Sequence, residues 1–341
     1  MKAVILVGGQ GTRLRPLTLT TPKQMLPIMG VPMLEGVMVQ LALHGVTDAV
    51  LSLGYLPEPF LEAYPDGECA GVRLSYAVEP VPLDTAGAVR FAAEVLEPDG
   101  TFVVVNGDVL TDLDLSALVA FHKDRGGEGT IALYPVEDPS RFGVVPTEDD
   151  GRVIAFVEKP PRDEAPTNLI NAGTYVFEPA VLGRIPLGER TSIERQTFPA
   201  MVADGALFAM EDRSYWLDTG TPESYLRAHA DILSGHRSPA FFTGSLRDGT
   251  FIAPAAVVDP SATVRSSVID EGCTIEAGAV VTDSVLLPGV TVQSGAIIDG
   301  SVIGEGATIG AAAVLRPTTV IGFGEVVEDG TELTNDRVPA S

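Results

Sequence analysis

The sequence predicts an α/β domain with a mostly parallel sheet over residues 1–235, a linker over 236–250 and a parallel β-helix over 251–335. Two observations carry this division. Up to Gly235, short apolar runs alternate with segments of helical period, the pattern of parallel strands joined by helices. Beyond residue 258, single aliphatic residues recur every five or six positions, a hexapeptide-repeat signature.

In chain order, Ala3-Val4-Ile5-Leu6-Val7 reads as a buried strand that breaks into Gly8-Gly9-Gln10-Gly11. Leu34, Val37, Met38 and Leu41 share a helical face, and that helix stops near Gly45. Residues 49–53 and Val72–Val78 read as strands, 86–96 as a helix, 101–105 as a central strand and 115–123 as a helix. Helices on both faces of such a sheet leave ligands the crevice beyond the carboxyl ends of the strands. Gly8 and Asn106-Gly107-Asp108 fall there.

Residues 236–250 carry Ser, Pro, Gly and Arg without periodicity. Aliphatic residues then stand at Val264, Ile269, Ile275, Val281, Leu286, Val292 and onward to Leu333, in steps of 5, 6 and 6 three times over and then of six. This makes a coil of 17 or 18 residues, and the triplets Ser267-Val268-Ile269, Ser284-Val285-Leu286 and Ser301-Val302-Ile303 repeat at 17. Each rung sends one aliphatic side chain into a narrow triangular core, small residues turn the corners, and about four coils stack.

The chain has 341 residues, 45% hydrophobic and 20% charged, which suits about two domains with a sizeable core. A net charge of −24 repels nucleic acid and anionic membranes, so neither is an expected partner. Cys69 and Cys273 fit no metal spacing and read as two reduced, buried thiols. The five-residue apolar run at the start is not a signal peptide, and no stretch approaches the roughly 18 apolar residues of a membrane span. A cytoplasmic enzyme is expected.

Glycines after a buried strand let backbone N–H groups approach an anion, and Arg13 and Lys23 add cations able to surround a polyphosphate. The dinucleotide fingerprint and the P-loop each need a pattern that this loop lacks. The run Gly8-Gly9-Gln10-Gly11-Thr12-Arg13-Leu14-Arg15-Pro16-Leu17, followed by Pro22-Lys23-Gln24-Met25-Leu26-Pro27, resembles the signature of the sugar-1-phosphate nucleotidylyltransferases. That resemblance implies a Rossmann-like catalytic domain and a left-handed β-helix tail for oligomerisation or allosteric control. It implies a nucleoside triphosphate and a sugar 1-phosphate as substrates, Mg²⁺ as cofactor and a homo-oligomer held through the β-helix. Some β-helices of this type are acyltransferases with a catalytic histidine; here no histidine follows His236.

Downstream segments extend the resemblance. Asp108 closes the 101–105 strand, where its carboxylate would face the crevice; the alternative is an ordinary turn aspartate. Trp216-Leu217-Asp218-Thr219-Gly220-Thr221 resembles the family's second metal-binding aspartate segment, so Asp108 and Asp218 are the implied metal ligands. Two carboxylates, nucleotide phosphates and water can complete the octahedral shell of Mg²⁺. Val157-Glu158-Lys159-Pro160 resembles the segment in which glutamate binds sugar hydroxyls and lysine holds the sugar phosphate, and Asn171-Ala172-Gly173 the sugar-binding strand. The implied catalytic set is thus Arg13, Lys23, Asp108, Lys159 and Asp218. Gly8, Gly9, Gly11, Thr12, Glu79, Asp84, Thr85, Gly107, Glu158, Asn171 and Gly173 bind substrates.

Segments such as Thr85-Ala86-Gly87, Pro139-Ser140-Arg141-Phe142-Gly143 and Thr191-Ser192-Ile193-Glu194 bring the chain nearest the branch that joins mannose 1-phosphate to GTP. Thymidylyl relatives usually carry glutamine where this chain has Glu79. A carboxylate only accepts hydrogen bonds, which suits the adjacent N1–H and N2–H₂ donors of guanine. One departure stands out: relatives read Pro-Leu-Gly-Thr-Ala-Gly where this chain has Pro82-Leu83-Asp84-Thr85-Ala86-Gly87. Asp84 either caps the helix that follows, or its carboxylate reads the base or crowds the ribose. Glucose 1-phosphate or a cyclitol phosphate with dTTP or UTP stays open as a substrate pair, and so does a non-catalytic regulatory role.

Overall fold

The computed structural model describes residues 1–340. By contacts the chain forms two compact units: Met1–Gly9 with Val37–Trp216, and Gln10–Gly36 with Leu217 onward. Sequence order and spatial grouping therefore differ for Gln10–Gly36 and for the helix Pro222–Leu233. Both lie within residues 1–235 and group with the second unit.

The first unit is built on a sheet that is ten-stranded among the described residues. Its centre runs Val72–Val78, Asp48–Leu53, Lys2–Leu6, Phe102–Asn106, all parallel, so the third, second, first and fourth of these strands lie side by side. Leu169–Phe177 continues the sheet antiparallel to Phe102–Asn106. The central strands are apolar throughout because helices cover the sheet: Ala3, Val4, Ile5, Leu51, Phe102, Val103 and Val104 are all buried. Each fully buried Val, Leu, Ile or Phe contributes about 1.5–3 kcal/mol. The expected helices appear as Met33–Leu43, Asp84–Leu96 and Leu115–Arg125, the last capped by Asp114, whose carboxylate accepts the Ala117 N–H at 2.9 Å. In register, Leu6 lies opposite Ser52 on one side and Asn106 on the other, so the carboxyl ends of these strands form one edge.

In the second unit, coils stack into three parallel sheets of six, five and five short strands among the described residues, as a left-handed β-helix. The stack is taller than the four coils expected, because Phe251–Ile252 and Arg337–Val338 add strands beyond the aliphatic repeat. Val268 pairs with Val285 and Val285 with Val302, a step of 17; Val302 pairs with Val320, a step of 18. Ile269, Ile275, Val281, Leu286, Val292 and Ile298 are fully inside. One corner is a column of left-handed residues, Gly272, Gly289, Gly306 and Gly324, with φ between 67° and 72°, where any side chain would be strained. The serines of the repeated triplets close a second corner: the Ser284 N–H donates to Ser267 Oγ and the Ser301 N–H to Ser284 Oγ, both at 3.1 Å.

The stretch 236–250, expected as a linker, is partly packed. Arg237 is buried, a Cβ on Gly36 would meet the Phe241 ring at 2.9 Å, and Phe242 sits edge-on to Phe251. Cys69 and Cys273 are both buried, and no disulfide joins them. Burial pushes the Cys273 thiol up to about 11, which makes it inert. Among the described residues no helix is long and apolar enough to cross a membrane.

Candidate active site

In the first unit, Gly8, Gly54 and Glu79 follow three neighbouring parallel strands and meet at their carboxyl ends. A Cβ on Gly8 would stand 3.3 Å from the Gly54 nitrogen and 3.8 Å from Glu79 Oε1. Gly9 is open, with nothing within 4 Å of a Cβ built on it. Glu79 Oε1 accepts from the Ser52 hydroxyl at 3.2 Å and Oε2 from the Leu83 N–H at 2.9 Å. Burial raises its carboxyl above the usual range, the two hydrogen bonds work against this, and the charge of Asp84 adds to the rise.

Asp84 does not cap as the sequence suggested. It opens the helix Asp84–Leu96 at φ +62°, and its Oδ1 accepts only the next N–H, that of Thr85, at 2.9 Å. The positive φ explains why glycine is usual at this place. Oδ2 lies 3.6 Å from Arg190 Nε. The Thr85 hydroxyl is engaged inside the protein: it donates to Glu194 Oε2 at 2.7 Å and accepts the Ile193 N–H at 2.8 Å. Gly87 is close-packed, since a Cβ there would come within 2.6 Å of the Glu189 carbonyl.

Asn171 and Gly173, implied for the sugar side, lie on the strand Leu169–Phe177. A bulge between Asn171 and Tyr175 puts Gly173 at φ +77°, where a Cβ would be 2.5 Å from Asn106 Nδ2. Asn171 holds the bulge, accepting the Gly173 N–H at 3.0 Å and donating to the Tyr175 hydroxyl at 2.9 Å. Gly107 is required by packing, because its missing Cβ faces Val7 Cγ1 at 2.6 Å. Burial, with the charges of Glu194, Glu158 and Asp108, holds the Tyr175 phenol protonated far above its ordinary range. Asp108, Glu158 and Glu194 thus all act on the same phenol. Lys159, at φ +50° just beyond the strand Val157–Glu158, is ion-paired with Glu158. Trp216 stacks on Tyr134 at 5.3 Å and donates Nε1–H to the Ala172 carbonyl at 2.9 Å, an aromatic wall beside the bulge.

Gly11, Thr12, Arg13, Lys23 and Asp218 belong to the second unit. Gly11 at φ +60° turns the chain into the short 3₁₀ helix Thr12–Leu14, and its carbonyl accepts from the Thr18 hydroxyl at 2.8 Å. Thr12 and Arg13 are exposed on this turn, and Lys23 is half-buried. Arg13 Nη2 stands 3.8 Å from Asp218 Oδ2, while Oδ1 accepts the Gly220 N–H at 2.8 Å. A Cβ on Gly220 would be 2.4 Å from Arg13 Nη2, so only glycine lets the guanidinium lie there. Sequence reasoning brought Arg13 and Asp218 to the site; it missed their pairing.

The chemistry of Asp218 suits a hard cation. The Asp218 carboxylate is about a quarter exposed and keeps lone pairs beyond its two contacts. Among the described residues no group of three or more His, Cys, Asp or Glu side chains gathers to hold an ion. Mg²⁺ keeps waters and takes phosphate oxygens, so it needs only one or two protein carboxylates.

The sequence assigned no contact to Ser52, Gly54 or Glu194, and Asn106 and Gly220 entered only as members of their motifs. The signal for Gly54 was present, a glycine directly after the strand Asp48–Leu53, as with Gly8. Ser52 sits inside an apolar run, and Glu194 reaches Thr85 across 109 positions, a proximity that no local pattern encodes.

The family model for nucleotidyl transferases matches residues 2–235. The chain belongs to that nucleotidyl transferase family. Residues 246–340 of this nucleotidyl transferase match the GMPPB C-terminal domain. Mannose-1-phosphate guanylyltransferase of Mycobacterium tuberculosis is 40% identical to it over 294 residues, 81% of each chain. The mannose-1-phosphate guanylyltransferase catalytic subunit beta of Danio rerio is 41% identical over 277 residues, 80% of this chain and 74% of that one. Among solved structures, HddC from Yersinia pseudotuberculosis superposes with a TM-score of 0.59 at 30% identity, covering 68% of this nucleotidyl transferase and 99% of that chain. A putative glucose-1-phosphate thymidylyltransferase from Bacillus anthracis gives 0.61 at 27% identity, covering 67% and 94%.

Proposed function

We propose that this nucleotidyl transferase joins mannose 1-phosphate to GTP, giving GDP-mannose and pyrophosphate. The observation that carries the reading is the 40% identity to a mannose-1-phosphate guanylyltransferase across 81% of both chains. An oxygen of the sugar 1-phosphate attacks the α-phosphorus in line, the bond to pyrophosphate breaks, and no covalent enzyme intermediate forms. Arg13 and Lys23 stabilise the departing pyrophosphate as charge develops on it. Lys159 orients the attacking phosphate and Glu158 accepts from sugar hydroxyls, which requires their mutual ion pair to open or to be shared with substrate. Asn171, Gly173 and the Trp216 wall shape the sugar side. Mg²⁺, held by Asp108 and Asp218, would neutralise phosphate charge in the transition state.

Glu79 supports guanine, because its half-buried carboxylate offers acceptors only. Self-association through residues 251–335 and a cytoplasmic setting are parts of the same proposal; exposed Val257, Ile297 and Val326 on the β-helix would suit a protein partner. The test is pyrophosphate release with Mg²⁺, crossing GTP, dTTP, UTP, CTP and ATP with mannose 1-phosphate and glucose 1-phosphate. Preference for GTP with mannose 1-phosphate is expected. Preference for dTTP or UTP with glucose 1-phosphate would replace the reading, and inactivity with every pair would favour a regulatory role.

A further inference from the structure

Two carboxylates stand at one end of the first unit's parallel strands, beside a floor of bare backbone. Gly8 and Gly54 lie so close that a Cβ on either would come within 3.3 Å of the other's backbone, a surface on which a planar ring can rest. Glu79 borders it, with one protein donor on each oxygen and a lone pair left on each. Asp84 follows five residues later, and its charge is felt at Glu79, whose carboxyl is raised by burial first and by Asp84 in addition. Asp84 stands at φ +62°, a conformation in which a glycine would be less strained. Its contacts are the Thr85 N–H and, at 3.6 Å, the exposed Arg190 guanidinium, which offsets the repulsion between the two carboxylates. One contact is local and the other an exposed ion pair, so each Asp84 oxygen keeps a lone pair for a ligand.

We propose that Asp84 is a specificity-determining residue that accepts one N–H of the guanine 2-amino group, while Glu79 accepts the other together with N1–H. This rests on the reading of GTP as the nucleotide. Guanine presents three N–H bonds along that edge, and one carboxylate meets two of them. The third is left without a partner unless a second acceptor stands beside the first. Hypoxanthine lacks the amino group, so inosine nucleotides isolate this contact.

The experiment compares kcat/KM for GTP and ITP with mannose 1-phosphate in the wild type, Asp84→Gly and Asp84→Asn, with Kd for GDP and IDP measured alongside in the absence of sugar phosphate. Glycine relieves the backbone and removes the acceptor; asparagine tolerates the same φ and keeps a weaker, neutral acceptor. The wild type is expected to favour GTP over ITP. That ratio should fall about tenfold in Asp84→Gly and about threefold in Asp84→Asn, the size of a hydrogen bond to a charged group, with the GDP to IDP ratio of Kd moving in parallel. A GTP to ITP ratio within twofold of wild type in Asp84→Gly overturns the inference alone. A wild type that uses GTP no better than dTTP or UTP overturns it together with the guanylyltransferase reading.

Discussion

The sheet of the first unit and the coils of the second are both parallel β structures, yet they use sequence in opposite ways. Along the sheet edge the strand ends follow no repeat: Gly8 and Gly54 offer bare backbone, Glu79 a carboxylate and Asn106 an amide. In the coils each position recurs at 17 or 18, with Ile275, Val292 and Ile309 inside and Gly272, Gly289 and Gly306 at the corner. A site needs unlike groups converging on a ligand, which breaks periodicity; a scaffold needs only that each rung match its neighbours. Function therefore collects where repetition stops.

Substitutions can break this contrast. Arg13→Ala should have the largest effect, lowering kcat by about 10²- to 10³-fold while leaving the thermal midpoint nearly unchanged, because the side chain is half exposed. A drop in the midpoint equal to that of a core variant, with kcat per folded molecule retained, would show Arg13 to be structural. Ile298→Ala should do the reverse: roughly 3 kcal/mol of stability lost in urea unfolding from a fully buried rung, with kcat unchanged.

Acid sharpens the comparison further. His229 is buried beside Tyr225, with Nδ1 3.4 Å from the Met29 nitrogen, and burial holds its imidazole down to about 3. The unfolded chain takes up this proton near its ordinary value of 6.5 and the folded protein only near 3. Stability from this group is therefore complete above pH 6.5 and falls by about 1.4 kcal/mol per pH unit below it, until the folded form also protonates. His229→Phe should flatten that part of the acid slope in unfolding curves taken at pH 7, 6 and 5; an unaltered slope would assign the acid sensitivity to other groups. The smallest effect expected is from Ser284→Ala, about 1 kcal/mol, because the Ser301 N–H loses its acceptor in the buried corner column. Equal urea midpoints for this variant and the wild type would show that the column contributes nothing.

Most of the fold was legible. Val72–Val78 appears with the boundaries read from its run of residues, and the aliphatic spacing located the rungs, because local period decides burial in both places. Candidate site residues could be proposed where a motif is continuous, as with Arg13 and Lys23, and again where a strand ends, as with Asp108. It was not legible where a side chain is held by distant partners. The Thr85 hydroxyl looked available in sequence, and the structure commits it to Glu194 and Ile193. Asp84 looked like a helix cap because aspartate before a helix usually is one; its φ of +62° and the absence of a capping bond from its side chain decide otherwise.

The grouping of Gln10–Gly36 with the C-terminal chain reaches beyond architecture. Gly30 abuts Asp270, Gly36 abuts the Phe241 ring, and a Cβ on Gly322 would touch Pro16, so the segment bearing Arg13 and Lys23 rests on residues encoded more than two hundred positions later. Its amides should then exchange with solvent at the opening free energy of the coil stack, not of the sheet whose first strand precedes it. A chain ending at Gly235, where the sequence invites a cut, would keep every implied catalytic residue and lose the cooperative unit that holds three of them, Arg13, Lys23 and Asp218, in shape.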